Sequence, residues 1–360
     1  MSTSARFYGT ITKIRFFEEE MKKKRLRPVW IVILLVITLS FAFFVVKGFA
    51  ALINSQTFYR VLEFIPDLRY GKADDYETLN ISEETPVDAQ PDEIQPLTPN
   101  FDLSVSVGDD VESDTVILLC VDDGNVIASR NSKERMYPAS MTKIMSLIVA
   151  VENIANVNKT FTMTYQITDP LYEQNATVMG MLSGETLPLI DILYGAILPS
   201  GADATAALAI ETAGDEEGFV EMMNAKAEEL GLIDTHFTNT SGLHDSDHYT
   251  TAHDMAVILD YALKNELCRK ILTTEFYRTT ATEQHPNGIE MYSTMFNKIH
   301  RDQIENVELV GGKTGYTYQA GHCLASACEK YGRTYIAVTS GGENKYSPIY
   351  DIMALFSEYI

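Results

Sequence analysis

The chain has 360 residues, with 50 acidic against 28 basic side chains and a formal net charge of −22. That balance argues against nucleic acid and anionic lipid as partners of the chain as a whole, because both demand clustered Lys and Arg. The length admits two domains, but the first third differs in composition from the rest. The four cysteines, Cys120, Cys268, Cys323 and Cys328, lack metal-ligand spacing and read as small buried apolar residues. Cys323 and Cys328 fall on opposite faces of an expected strand, so they cannot pair with one another; one disulfide elsewhere stays open.

Residues 1–28 end in a basic cluster, Lys22, Lys23, Lys24, Arg25 and Arg27, followed by 18 uncharged residues from Val29 to Val46. That length spans a bilayer, and the flanking charges place the N-terminus in the cytoplasm and everything after Lys47 outside it. The expectation is a single-pass anchor in a bacterial cytoplasmic membrane; Gly48-Phe49-Ala50 leaves a cleaved signal as the alternative. Residues 47–113 read as an acidic, disordered tether. From Gly71 to Asp114 there are 13 Asp or Glu against one Lys, with Pro86, Pro91, Pro96 and Pro99 interspersed.

From Asp114 the pattern becomes that of a folded domain, taken as residues 114–360. Asp114–Cys120 and Val126–Arg130 predict two strands joined by an Asp-Gly turn. A helix headed by Ser140 follows, with Ile144, Leu147, Ile148 and Val151 along one buried face. Helices are expected over Leu187–Leu198, over Ala202–Ala213 stopped by Gly214, and over Glu216–Leu230 stopped by Gly231. Another is expected over Ala252–Asn265. Strands follow over Val307–Thr314, His322–Ala327 and Thr334–Thr339, and a last helix opens with Ser347 as N-cap and Pro348 at its first position. Two strands early and three late, with helices between, predict an α+β domain built on one five-stranded antiparallel sheet that both ends of the chain close, flanked by helices with a helical subdomain. No internal repeat is visible.

Three motifs carry chemistry. Ser140-Met141-Thr142-Lys143 places a hydroxyl and an amine one helical turn apart, so a desolvated Lys143 amine can act as base to a Ser140 nucleophile. Val310-Gly311-Gly312-Lys313-Thr314-Gly315-Tyr316 reads as a strand whose polar end lies in a site, with Gly315 marking a close backbone approach. Leu198-Pro199-Ser200-Gly201-Ala202-Asp203-Ala204 lies between them, before an alanine-rich helix. Ser-x-x-Lys, Ser-x-Asn and Lys-Thr-Gly together form a known signature.

With these motifs, and with Thr235–Leu243, His248–Ala252 and Ala320–Leu324, residues 114–360 resemble the D-alanyl-D-alanine carboxypeptidases, the low-molecular-mass penicillin-binding proteins of peptidase family S11. The resemblance implies the serine β-lactamase and transpeptidase fold. It implies an acyl-enzyme on Ser140, with Lys143 as base, Ser200 relaying a proton to the leaving D-alanine, and Lys313, Thr314 and Gly315 binding substrate. The backbone amides of Ser140 and Tyr316 would form the oxyanion hole. Stem peptides of peptidoglycan are the implied substrate and β-lactams the implied covalent inhibitors, with no metal and no cofactor.

Departures keep alternatives open. Ala202 stands where family members usually carry the asparagine of Ser-Gly-Asn, and the literal Ser129-Arg130-Asn131 precedes the nucleophile. A non-catalytic, wall-associated regulatory protein is one alternative. A class A β-lactamase is another, although Gly231–Leu243 lacks the glutamate that deacylation there requires. No arginine follows the last strand to take a carboxylate; Glu343 and Lys345 occupy that neighbourhood. His244, Asp245, Asp247, His248, His253 and Asp254 are rich in ligand types but lack a His-Glu-x-x-His pattern, so no metal is expected there.

Overall fold

A computed structural model describes residues 94–360. The basic segment, the apolar run at 29–46 and residues 47–93 of the acidic stretch lie outside the described residues. In chain order the elements are β1 (Val105–Ser106), β2 (Thr115–Cys120), β3 (Val126–Arg130), a 3₁₀ turn (Ala139–Met141), α1 (Thr142–Asn153), β4 (Thr160–Thr162), α2 (Tyr165–Glu173) and β5 (Thr186–Pro188). Then come α3 (Leu189–Ile197), α4 (Ala202–Ala213), α5 (Glu216–Glu229), α6 (Ala252–Lys264), α7 (Glu266–Leu272), β6 (Phe276–Arg278), β7 (Glu290–Tyr292), β8 (Glu308–Thr317), β9 (Gly321–Lys330), β10 (Arg333–Gly342) and α8 (Ser347–Glu358).

The main sheet runs β1-β3-β2-β10-β9-β8. Antiparallel pairing of β2 with β10, Val116 opposite Thr339 through Cys120 opposite Tyr335, ties the start of the domain to its end. Side chains alternate across the strands. Ile117 and Leu119 enter the large core shared with the central helices, whereas Val116, Leu118 and Cys120 enter the second core under α8. Cys323 and Cys328 divide in the same way, and all four cysteines are free and buried. Helix α1 is the central rod, packed against α3, α4, α5 and α6.

The expected five strands are present, and a sixth, β1, joins them in parallel with β3. It comes from the stretch read as tether. Ile94, Leu97 and Phe101 pack on the large core, and Val107 and Val111 are buried in the second. The Arg130 guanidinium donates to the carbonyls of Val107, Gly108, Val111 and Ser113. A composition averaged over the whole acidic stretch hides these few apolar residues, so the folded unit starts before Asp114.

Helix ends follow their caps. Gly214 ends α4 at φ +94°, and Asp215 opens α5 by accepting from the Gly218 amide at 2.8 Å. Thr251 opens α6 by accepting from Asp254 at 3.0 Å. Helix α8 starts one residue earlier than its sequence suggests: Tyr346 is the cap and Ser347 lies in the first turn, where its hydroxyl donates to Glu112 at 3.2 Å. Helices α2 and α7 and the short strand pairs β4–β5 and β6–β7 are too brief to show a period.

Candidate active site

Ser140 sits in the 3₁₀ turn that runs directly into α1, rather than inside the helix. The residue before it, Ala139, has φ +46°, a left-handed conformation that is strained for alanine and persists where the surroundings over-determine it. One turn on, the Lys143 Nζ donates to the Ser140 Oγ at 3.0 Å and to the Ser241 carbonyl at 2.6 Å. Lys143 is 2% exposed. Burial pushes its pKa down to about 7, against the raising influence of the Asp203 carboxylate. The Lys313 ammonium is itself held well below the ordinary lysine range, first by burial and then by Lys143 and Lys298.

Strand β8 brings Lys313, Thr314, Gly315 and Tyr316 to this turn. A Cβ on Gly315 would stand 3.0 Å from the Pro138 carbonyl and 3.1 Å from the Ser140 nitrogen, so strand and nucleophile turn meet backbone to backbone. Lys313 donates to the Thr314 carbonyl at 2.9 Å, and the Thr314 hydroxyl donates to Thr294 at 2.7 Å. In the main sheet β8 pairs only with β9, which leaves its other edge unpaired by that sheet. The Tyr316 ring is exposed and stacks on His322 at 4.2 Å, so its side chain points away from the amide role.

Ser200 lies on the turn into α4, which packs on α1. Its φ is +70°, it is 6% exposed, and its Oγ makes no hydrogen bond. An unpartnered buried hydroxyl in a strained turn costs stability and is a mark of a functional position. Gly201 is required there: a Cβ would come within 2.7 Å of Asp203 Oδ1 and 2.8 Å of both the Gly195 carbonyl and the Met179 nitrogen.

The loop Asn239–Leu243 supplies the Lys143 acceptor, a role that no side-chain pattern announces because the group is the Ser241 carbonyl. Asn239 Oδ1 accepts from the amides of Ser241 at 3.2 Å and Gly242 at 2.7 Å and so fixes the loop. Gly242 has φ +80°, and a Cβ there would lie 1.8 Å from the Ala139 carbonyl. His248 braces the same region. Its Nε2 bonds the Thr142 hydroxyl at 2.8 Å, and its Nδ1 accepts from the Thr238 amide at 3.0 Å. Burial leads the causes that push its pKa down to about 4, so the ring is neutral near pH 7. With both nitrogens used internally, it has no lone pair left for a metal. Among the described residues no cluster of three or more His, Cys, Asp or Glu is placed to hold one.

A hydroxyl beside a buried amine whose pKa lies near neutrality, under a strand edge whose backbone reaches the same turn, is equipped for acyl transfer to serine. The description "D-alanyl-D-alanine carboxypeptidase" belongs to the Peptidase_S11 family, which matches residues 102–344. The chain is 33% identical over 231 residues to the D-alanyl-D-alanine carboxypeptidase DacF of Bacillus subtilis, covering 64% of this chain and 57% of that protein. It is 30% identical over 239 residues to DacA of Escherichia coli, with the same coverage. The chain therefore spans little more than half the length of these curated relatives.

Among solved structures, the Streptomyces K15 DD-transpeptidase superposes with a TM-score of 0.63 at 24% identity, covering 68% of this chain and 96% of that one, a likeness of fold. A D-alanyl-D-alanine carboxypeptidase from Mycobacterium tuberculosis gives a TM-score of 0.59 at 26% identity, covering 72% and 94%. With residues 102–344 matched, the chain belongs to the D-alanyl-D-alanine carboxypeptidase family, peptidase S11.

Proposed function

We propose that this protein is a serine-type D-Ala-D-Ala carboxypeptidase that removes the terminal D-alanine from peptidoglycan stem pentapeptides. The observation that carries the reading is the 3.0 Å contact from the Lys143 amine to the Ser140 hydroxyl. With a pKa of about 7, a substantial share of that amine is neutral at physiological pH and can take the hydroxyl proton.

In this reading the substrate lies along the open edge of β8, as an added strand would. The Ser140 Oγ attacks the carbonyl carbon of the penultimate D-alanine, and its proton passes to Lys143 Nζ. Negative charge gathers on the carbonyl oxygen, where the Ser140 and Tyr316 amides donate to it. The proton then reaches the amine of the departing D-alanine through Ser200, and the C–N bond breaks. Water hydrolyses the resulting ester, with Lys143 again as base. Lys313 and Thr314 hold the terminal carboxylate.

A β-lactam carbonyl enters the same position and acylates Ser140. The basic cluster before the uncharged run at 29–46 supports anchoring in the cytoplasmic membrane with the domain outside. Release of D-alanine from diacetyl-Lys-D-Ala-D-Ala, together with the intact mass after exposure to penicillin, tests the reading. One penicilloyl group per chain and steady D-alanine release are expected, and both vanish in Ser140→Ala. Unchanged release by that variant would refute it.

A further inference from the structure

Asp203 is a buried carboxylate, 1% exposed, in the first turn of α4. Its Oδ1 accepts from the Met179 amide at 2.7 Å and from the Ala204 amide at 2.9 Å, and its Oδ2 from the Gly180 amide at 3.1 Å. The Ser200–Gly201 turn wraps around it closely enough that a Cβ on Gly201 would meet Oδ1 at 2.7 Å. This carboxylate thus joins the 179–180 loop to the strained turn that presents Ser200.

We propose that Asp203 is a positioning residue of the active site: its carboxylate ties the 179–180 loop to the start of α4 against the Ser200–Gly201 turn, and its charge acts on the Lys143 amine. The proposal rests on the reading of Lys143 as base. Position 202 offers only a methyl group, and the hydrogen-bond partners of Lys143 are the Ser140 hydroxyl and the Ser241 carbonyl, neither charged.

Three ionisable groups bear on that amine. Lys313 faces it from β8 and repels it, as the depression of Lys313 by Lys143 shows. His248 faces it from the segment before α6 and is neutral near pH 7. Asp203 faces it from α4 and raises its proton affinity against the burial that lowers it. Burial leads the causes that raise the Asp203 pKa, and the Met179, Gly180 and Ala204 amides oppose it by favouring the anion. Without this carboxylate, desolvation acts on Lys143 unopposed and the amine gives up its proton at lower pH.

The test is the acylation rate of the full-length protein with a fluorescent penicillin between pH 5 and 9, for wild type, Asp203→Asn, Asp203→Ser and Asp203→Glu, with thermal melts alongside. Wild type should lose rate as the pH falls through about 7. In the two neutral variants that limb moves to lower pH, so the ratio of the rate at pH 6 to that at pH 8 rises ~5-fold for a shift of about one unit. Asp203→Glu keeps its charge and retains the wild-type limb at a reduced rate.

If Asp203→Asn does not fold, Asp203→Ser carries the same readout. Neutral variants that are slower at every pH with an unmoved limb would overturn the proposal and leave the reading of the site intact. A wild-type protein that penicillin does not acylate would instead remove the reading, and the proposal with it.

Discussion

Gly315 and Ser140 touch: a Cβ on the glycine would stand 3.1 Å from the serine nitrogen, tighter than ordinary van der Waals contact. The same Cβ would lie 3.1 Å from the Ala139 Cβ, so neither side of the gap has room. Gly315→Ala should therefore separate β8 from the nucleophile turn by a few tenths of an ångström and spoil the oxyanion position. Its folding should be little affected, since β8 keeps its pairing with β9. An acylation rate down about tenfold or more, with an unchanged melting temperature, is the expected result. Wild-type acylation would show that the two amides do not act together.

Gly242 and Ala139 form a second contact that excludes any side chain: a Cβ on Gly242 would lie 1.8 Å from the Ala139 carbonyl oxygen. Gly242 also sits at φ +80°, where a Cβ alone costs about 1 to 2 kcal/mol. Gly242→Ala must push the Asn239–Leu243 loop away and carry the Ser241 carbonyl off Lys143. Both stability and activity should fall, with denaturant midpoint and D-alanine release measured together. A variant that melts earlier yet releases D-alanine at the wild-type rate would show that the Ser241 carbonyl does not orient the amine.

The buried Lys143 amine also ties stability to pH. Its folded pKa of about 7 lies below the ordinary 10.5. Between those values the unfolded chain binds the proton that the native state releases, so this group makes stability rise with pH across that window. Below about pH 7 both states are protonated and the full cost of burying the charge is felt. Lys143→Met should thus be inactive but more stable than wild type at pH 6, with the gap narrowing towards pH 10. Thermal melts at several pH values check this, and a constant gap would contradict the low pKa.

His248 contributes in the acid range. Its folded pKa of about 4 lies below the ordinary 6.5, so the unfolded chain takes up a proton that the native ring refuses. Stability that is present above about pH 6.5 is lost as the pH falls through 4. His248→Gln should lower stability at pH 7 by breaking the Thr142 and Thr238 bonds, yet show a flatter decline between pH 6.5 and 4. Parallel declines for the two proteins would place the acid sensitivity elsewhere.

Much of this was legible in the residues. Helix α4 could be read end to end because alanine-rich periodicity stops at a glycine, and Gly214 does adopt the left-handed conformation. The spacing of Ser140 and Lys143 held because three residues apart is one turn in a 3₁₀ turn or an α-helix. Other features leave no local pattern. The Ser241 carbonyl acts through its backbone, Asp203 acts through amides some two dozen residues away, and β1 rests on two residues. Residues 94–113 belong to the folded unit although their composition is acidic, because charge dominates an average while Phe101, Val107 and Val111 decide packing.

Position 202 offers the most direct gain of function. The Ala202 side chain is buried beside the Ser200 turn and contributes no polar group. In the proposed reading, an asparagine there supplies an amide directed at Lys143 and the substrate backbone. One such hydrogen bond is worth about 1 to 3 kcal/mol, or about 5- to 150-fold in rate if it forms in the transition state. Ala202→Asn should therefore raise acylation by penicillin and release of D-alanine together, and the melting temperature reports whether the larger side chain is accommodated. A stable variant with no gain would mean that the Ser241 carbonyl and the Asp203 charge already hold the amine as well as the amide would. The alanine would then mark an alternative construction of the same site rather than a weakened one.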